Sequence, residues 1–376
     1  MRLVFSGFFV VFAILQFVGL RSFGQDISSA ELKLMRVLDV ENSSIPKDLQ
    51  VSKTVVIISI GNRDDSGVGD WKTFAEESHF YIKKLRIDAV LYFYIDEAIA
   101  GYDVQRAISS QLINRDIKNM VLLSKDIIDG RDQFIGVVTP FNKEPTYISN
   151  NQPAWKSQTS DLEILFRNLA RAIDRANLKS ENLLIIDSPE YYRGSDIING
   201  KRFELLNTDL RIDKLAVPKF VDLAVPEVVT TTSSSQILKA IQDNNAENLV
   251  KNAKLEQVFS KYPYQYEIVP YEYDEKKLLA KGFQFVLMQV NSSQSNVRSL
   301  LAYRSNVAAG GKKLNDNASS ANNLVHSADE VTIYKYYVKH INSGDIYLGE
   351  IWDAANNWLD ALNNHVTTII NQLGKK

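Results

Sequence analysis

Three short runs in the first half of the chain are apolar nearly throughout: TVVIISI at 54–60, DAVLYFYI at 88–95 and KNMVLL at 118–123. They are rich in β-branched and aromatic residues and bounded by turn formers, so they predict buried strands. Between them the apolar spacing changes to three and four. Trp71, Phe74, Ala75, Ser78, Ile82 and Leu85 share one helical face, and Val104, Ala107, Ile108, Gln111 and Leu112 share another. A strand at 134–139 and the segment SDLEILFRNLARAIDRA follow. In that segment Ser160 and Glu163 predict a capping box, and Leu162, Leu165, Phe166, Leu169 and Ile173 predict a buried stripe. The order β-α-β-α-β-β-α favours a largely parallel sheet.

The second half repeats much of this plan. A strand at 182–186 leads to helical pattern at 236–259, a strand at 264–269, a short helix at 274–280 and a strand at 283–290. A hairpin of 331–341 and 345–349, turned at Asn342-Ser343-Gly344, precedes a last helix whose stripe is Trp358, Leu359, Leu362, Val366, Ile369 and Ile370. The expected fold class is α/β, in two tandem units that each end in paired strands followed by an amphipathic helix. Residues 275–372, a helix, a strand, a hairpin turned at INSGDIYLG and a closing helix, resemble the small periplasmic domains of curli-pore and penicillin-binding-protein-activator lipoproteins. That likeness of element order and turn carries no residue or activity across.

Met1-Arg2, an apolar run from Leu3 to Leu20 and the small residues Ser22 and Gly24 form the n-region, h-region and cleavage box of a secretory signal peptide. The expected organisation is a signal peptide at 1–24, a lead segment at 25–50, one unit at 51–180 and a second at 181–376. Irregular stretches are expected at 225–235 and, as a mobile insertion, at 305–330, where Asn, Ser, Gly and Ala displace large apolar residues. Cleavage would leave 41 Lys+Arg against 45 Asp+Glu, because only Arg2 and Arg21 are charged before residue 25. A mildly acidic chain argues against nucleic acid or an anionic membrane as partner, since both demand a dense basic face. Without its leader the chain is expected to make no stable membrane insertion. With no cysteine, there is no disulfide, thiolate chemistry or cysteine zinc site, and stability must come from the core. A cysteine-free exported chain of this size suits a bacterial periplasm or exterior.

Candidate chemistry is sparse. The loop SIGNRDDSGVGDWKTF at 59–74 follows a strand and precedes a helix, where α/β proteins bind phosphates, yet it has neither GxGxxG nor GK[ST] and it carries three aspartates. Asn62, Asp64, Ser66 and Asp70 instead copy the opening of a calcium loop, with Thr73 where a bidentate Glu would complete the shell. The plainer reading is a turn with Asp70 capping the next helix. No other cofactor is implied. Asp96, Asp126 and Asp187 fall at predicted strand ends, the edge where open α/β sheets bind ligands, and would make an acidic cluster if they converged. Tyr262, Tyr264 and Tyr266 alternate beside Pro263 and Pro270, the pattern of an edge strand whose aromatic face could meet a protein or a glycan. These readings favour an exported, non-catalytic binding or assembly protein of the cell envelope. The alternatives are a secreted hydrolase or metal-dependent enzyme with its site at the strand ends, and a two-lobed receptor closing on a small ligand.

Overall fold

The structure, a computed structural model, describes residues 38–39, 44–60, 70–128, 131–149, 152–181, 184–191, 198, 200–223, 232–270, 275–302 and 331–374. The leader at 1–24, the insertion at 305–330 and the loop residues Asn62, Asp64 and Ser66 lie outside these residues. Among the described residues no helix is long and apolar enough to cross a membrane.

The first unit runs β1 (Leu38–Asp39), β2 (Lys53–Ile60), α1 (Trp71–Lys84), β3 (Asp88–Tyr94), α2 (Ile95–Ala98), α3 (Tyr102–Asn114), β4 (Ile117–Ile128), β5 (Arg131–Pro140), β6 (Gln152–Pro153), β7 (Trp155–Thr159) and α4 (Leu162–Ala176). Its five-stranded sheet has the order β3-β2-β4-β5-β7, with β3, β2 and β4 parallel and β5 and β7 antiparallel. The second unit runs β8 (Arg202–Phe203), β9 (Leu215–Pro218), α5 (Thr232–Phe259), β10 (Tyr266–Val269), α6 (Glu275–Ala280), β11 (Phe285–Ser293), α7 (Gln294–Leu300), β12 (Thr332–His340), β13 (Ile346–Tyr347) and α8 (Trp358–Gly374). Its sheet has the order β10-β9-β11-β12-β13-β8. There β10, β9 and β11 are parallel, and β12 and β13 are antiparallel. Strand for strand the two orders are the same, with β2, β3, β4, β5 and β7 answered by β9, β10, β11, β12 and β13.

Period-two alternation builds three cores from these two sheets. Val56 and Ile58 of β2 face α1 and α4, while Val55 and Ile57 face a central core shared with the second sheet. In β11, Val286, Met288 and Val290 enter that central core, and Phe285 and Leu287 face α5 and α8. Helices α2, α3, α6 and α7 fill the space between the sheets. The interface a two-lobed receptor would need as a cleft is therefore packed apolar core. Ala100 accepts a backbone bond from Asn291 across it at 2.7 Å, and a Cβ on Gly101 would stand 2.2 Å from the Gln289 carbonyl oxygen, so this approach requires glycine.

Several expected elements shift. The strand expected at 182–186 does not form over Leu184–Ile186, where Leu184 is 97% exposed. An apolar run makes a strand only beside a partner, and β3 meets this stretch only later, where Tyr92 donates to the Glu190 carbonyl. The strand that answers β2 in the second unit is instead β9, whose four residues gave too short a pattern to predict. Asp161, rather than Ser160, caps α4 by accepting from the Ile164 amide. Thr232–Ser235, expected to be irregular, forms the start of α5.

Candidate functional site

The residues singled out by sequence lie on separate elements of the fold. Asp70 caps α1 as expected, accepting from the Thr73 hydroxyl and from the Lys72 amide at 3.1 Å; the Thr73 bond above all, then the backbone amides and the Lys72 charge, hold it below the usual carboxylate range. Asp187 is exposed and pairs with Lys83, which lowers its pKa, with a smaller contribution from His79. That histidine is buried on α1, its Nδ1 sharing a 2.7 Å bond with the Tyr92 hydroxyl and its Nε2 reaching the Ile186 carbonyl at 3.0 Å. Asp126 lies opposite Gln133 in the β4–β5 ladder, and Asp96 sits half-buried in the first turn of α2. Among the described residues no group of three or more His, Asp or Glu side chains could hold a metal ion. Beside Asp96, burial pushes Glu97 up to about 7, against the pull of Lys72 and with a push from Asp96.

The tyrosines are arranged differently from the expected strand face. The strand begins only at Tyr266, and β10 is indeed at the sheet edge. Tyr262 precedes it and is buried, because it closes the end of α5: its ring lies 5.6 Å from Phe259 and 5.9 Å from Tyr266. Tyr264 and Tyr266 are half-buried against the same cluster. Burial pushes the Tyr262 hydroxyl well above the usual tyrosine range.

Two charged groups lie in the interior. Asp103 of α3 accepts from Lys339 at 2.6 Å and from Arg106 at 2.7 Å. Glu275 of α6 takes the other ends, from Arg106 at 2.9 Å and Lys339 at 3.2 Å, and Tyr337 donates to Asp103. This ring of two acids and two bases spans both units. In the second group, Lys335 is fully buried, donates to the Tyr336 and Leu348 carbonyls, and lies 2.5 Å from Asp353. His365 Nδ1 donates to the other Asp353 oxygen at 2.9 Å. Burial would raise Asp353, but Lys335 and His365 hold it below its ordinary value, while burial depresses His365. Burial also lowers Lys335, against the pull of Asp353, and all three side chains are sealed from solvent.

The exposed arrangement is different. A groove of about 220 Å³ runs between β7 and α4, lined by Trp155, Lys156, Ser157, Asn168, Arg171, Ala172 and Arg175. Positions 168, 171, 172 and 175 form a single stripe of α4, next to the apolar stripe that docks the helix. Asn168 donates to the Ser157 hydroxyl and ties the helix to the strand. Burial lowers Lys156 below the usual lysine range. Arg171 and Arg175 are exposed, and neither has an ion-pair partner among the described residues. Like charges four apart on a helix cost about 0.2–0.5 kcal/mol, and no carboxylate among the described residues lines the groove to offset them. Sequence reading passed over these residues because its attention went to the apolar stripe; two arginines four apart on the adjoining face were the available signal.

No protein family, curated protein or solved structure matches this chain. The site therefore stands on its own geometry.

Proposed function

We propose that this is an exported, non-catalytic binding or assembly protein of the bacterial cell envelope, and that the β7–α4 groove is the surface by which it holds an anionic partner. The observation supporting this reading is the groove's charge: Lys156, Arg171 and Arg175 converge beside an edge strand with no acid among the lining residues. The interior charges are engaged with one another, whereas Arg171 and Arg175 are exposed and have no ion-pair partner among the described residues, so an incoming anion can meet them. Export rests on the N-terminal sequence pattern.

The test is sedimentation with the envelope fraction of the cells that make the protein. Arg171→Glu/Arg175→Glu should keep its thermal stability, since exposed substitutions usually change stability by under about 0.5 kcal/mol, yet should be lost from the pellet. Raising the salt should release the wild type in the same way, because exposed charges are screened beyond about 8 Å at physiological ionic strength. Equal sedimentation of variant and wild type would overturn the reading.

A second reading, acid–base chemistry at the strand ends, is favoured by Glu97 alone, a carboxyl poised near neutrality at the C-terminal end of β3. It requires that Glu97→Gln abolish a hydrolytic activity of the purified chain; unchanged hydrolysis in that variant would remove it.

A further inference from the structure

Resting on the reading of the β7–α4 groove as a contact surface, we infer its occupant: an extended acidic polypeptide segment that adds to β7 in parallel, with acids at alternate positions. The molecule lays a parallel strand on the equivalent edge of its second unit and another on the short strand ahead of β7. In the second unit the strand equivalent to β7 is β13, and on its outer side lies β8, parallel, with the Ile346 and Leu348 amides donating to the Lys201 and Phe203 carbonyls at 2.8 Å each. In the first unit β1 lies parallel on β6, pairing Leu38 with Gln152 and Asp39 with Pro153, immediately ahead of β7. Beyond Pro153 the edge from Trp155 to Thr159 has no strand partner among the described residues. A strand laid there would continue the ledge that β1 begins.

The charges fit the same ligand. Arg171 and Arg175 are four residues apart on α4, about 6 Å at 1.5 Å per residue. Side chains at alternate positions of an extended chain are about 6.6 Å apart on one face. Acids two residues apart therefore meet both guanidinium groups, and each Arg matches a carboxylate with paired donors. The helical stripe from Asn168 to Arg175 is about 10.5 Å long, room for about three residues of strand. Lys156, on β7 itself, adds a third positive charge, and an anion brought beside it restores the charged form that burial disfavours. A polypeptide fits better than a glycan because an edge strand offers alternating N–H and C=O groups that another backbone satisfies in register.

The experiment measures binding of labelled peptides to the full chain by fluorescence anisotropy. One heptapeptide alternates Thr and Glu; a second has the same composition with its three acids adjacent; a third is the alternating peptide with N-methyl groups on alternate amides; a sulfated glycan serves as competitor. The alternating peptide should bind about tenfold more tightly than the block peptide, a difference of about 1.4 kcal/mol. N-methylation and Arg171→Gln/Arg175→Gln should each remove a comparable factor. Equal affinity of alternating, block and N-methylated peptides, all lost in the arginine variant, would overturn the strand geometry while leaving the anion groove standing. Preferential binding of the glycan, with displacement of peptide, would overturn the polypeptide assignment alone. No binding by any probe would also overturn this inference, and envelope sedimentation would still decide the function separately.

Discussion

At Asp353 a single carboxylate holds two buried groups in place, Lys335 and His365; its removal takes the counter-charge from Lys335, which keeps only the Tyr336 and Leu348 carbonyls, and the hydrogen-bond acceptor from His365 Nδ1. Stranding a buried charge typically costs about 3–5 kcal/mol, more than the pair itself contributes. Asp353→Ala should therefore lower stability by about that much in urea denaturation, whereas removing an exposed carboxylate such as Asp187, paired with Lys83 at the surface, should change it far less. Next to this group Gly349 has a φ of 85° and a Cβ there would press to 2.9 Å from a Thr368 methyl, so the turn after β13 needs glycine for conformation and for space. Glu97 gives a pH signature of opposite sense to an ordinary salt bridge. Its folded pKa, about 7, lies above its usual value of 4.5. Below the lower value it is protonated in both states and contributes no penalty; as pH rises from 4.5 to 7 the unfolded chain gives up the proton that the folded chain still holds, so stability falls over that window and stays lower above it. Glu97→Gln should then raise the melting temperature at pH 8, by a stabilisation on the order of 2–3 kcal/mol at most, and leave it unchanged at pH 4. No gain at pH 8 would mean that the carboxyl is not raised.

The longest element, α5, shows how a polar pattern builds structure. Asn245, Asn248 and Asn252 stand on one face of the helix and hold the extended segment Phe220–Leu223 by its backbone. Asn245 accepts from the Leu223 amide and donates to its carbonyl, Asn252 does the same for Phe220, and Asn248 donates to the Val221 carbonyl. Seven residues of helix rise about 10.5 Å, and three steps of extended chain cover about 10 Å, so the two repeats stay in register when they run antiparallel. Asn252→Ala leaves one backbone amide and one carbonyl without these partners and should cost about 1–3 kcal/mol by chemical denaturation; a loss within error would mean that water replaces the clamp. This ladder was illegible in the sequence because amide-to-backbone bonds leave no apolar period. By contrast, the stripes of α1, α3, α4 and α8 were legible, since each buries one face against a sheet. The strands β2, β3 and β4 were legible as continuous apolar runs because helices cover both of their faces. β7, with the sequence WKSQT, was not: an edge strand beside a polar groove needs few apolar residues. The acids at 96, 126 and 187 were legible as falling at or near strand ends, while strand order alone offered no measure of where each carboxylate points.

On the scale of the whole molecule, two sheets of one strand order stack through a shared layer of helices, and the central core draws residues from both. A chain tied this way should unfold as one unit, giving a single calorimetric transition rather than two. Asp103→Ala opens the charged ring at the junction and takes one of the two carboxylates from Lys339 and Arg106; the expected loss is about 3–5 kcal/mol, as for other broken buried pairs. The repeated plan also marks the difference between the units. On the second unit's outer edge β8 covers β13, and on the first unit's outer edge β7 faces the basic groove. The most direct measurement is the affinity of polyglutamate for the full chain at low and at moderate salt. Wild type should bind at low salt and weaken as salt rises, and Arg171→Glu/Arg175→Glu should not bind at either. Equal affinity in the variant, or binding by the wild type that ignores salt, would contradict the assignment of the groove as the anion-holding surface.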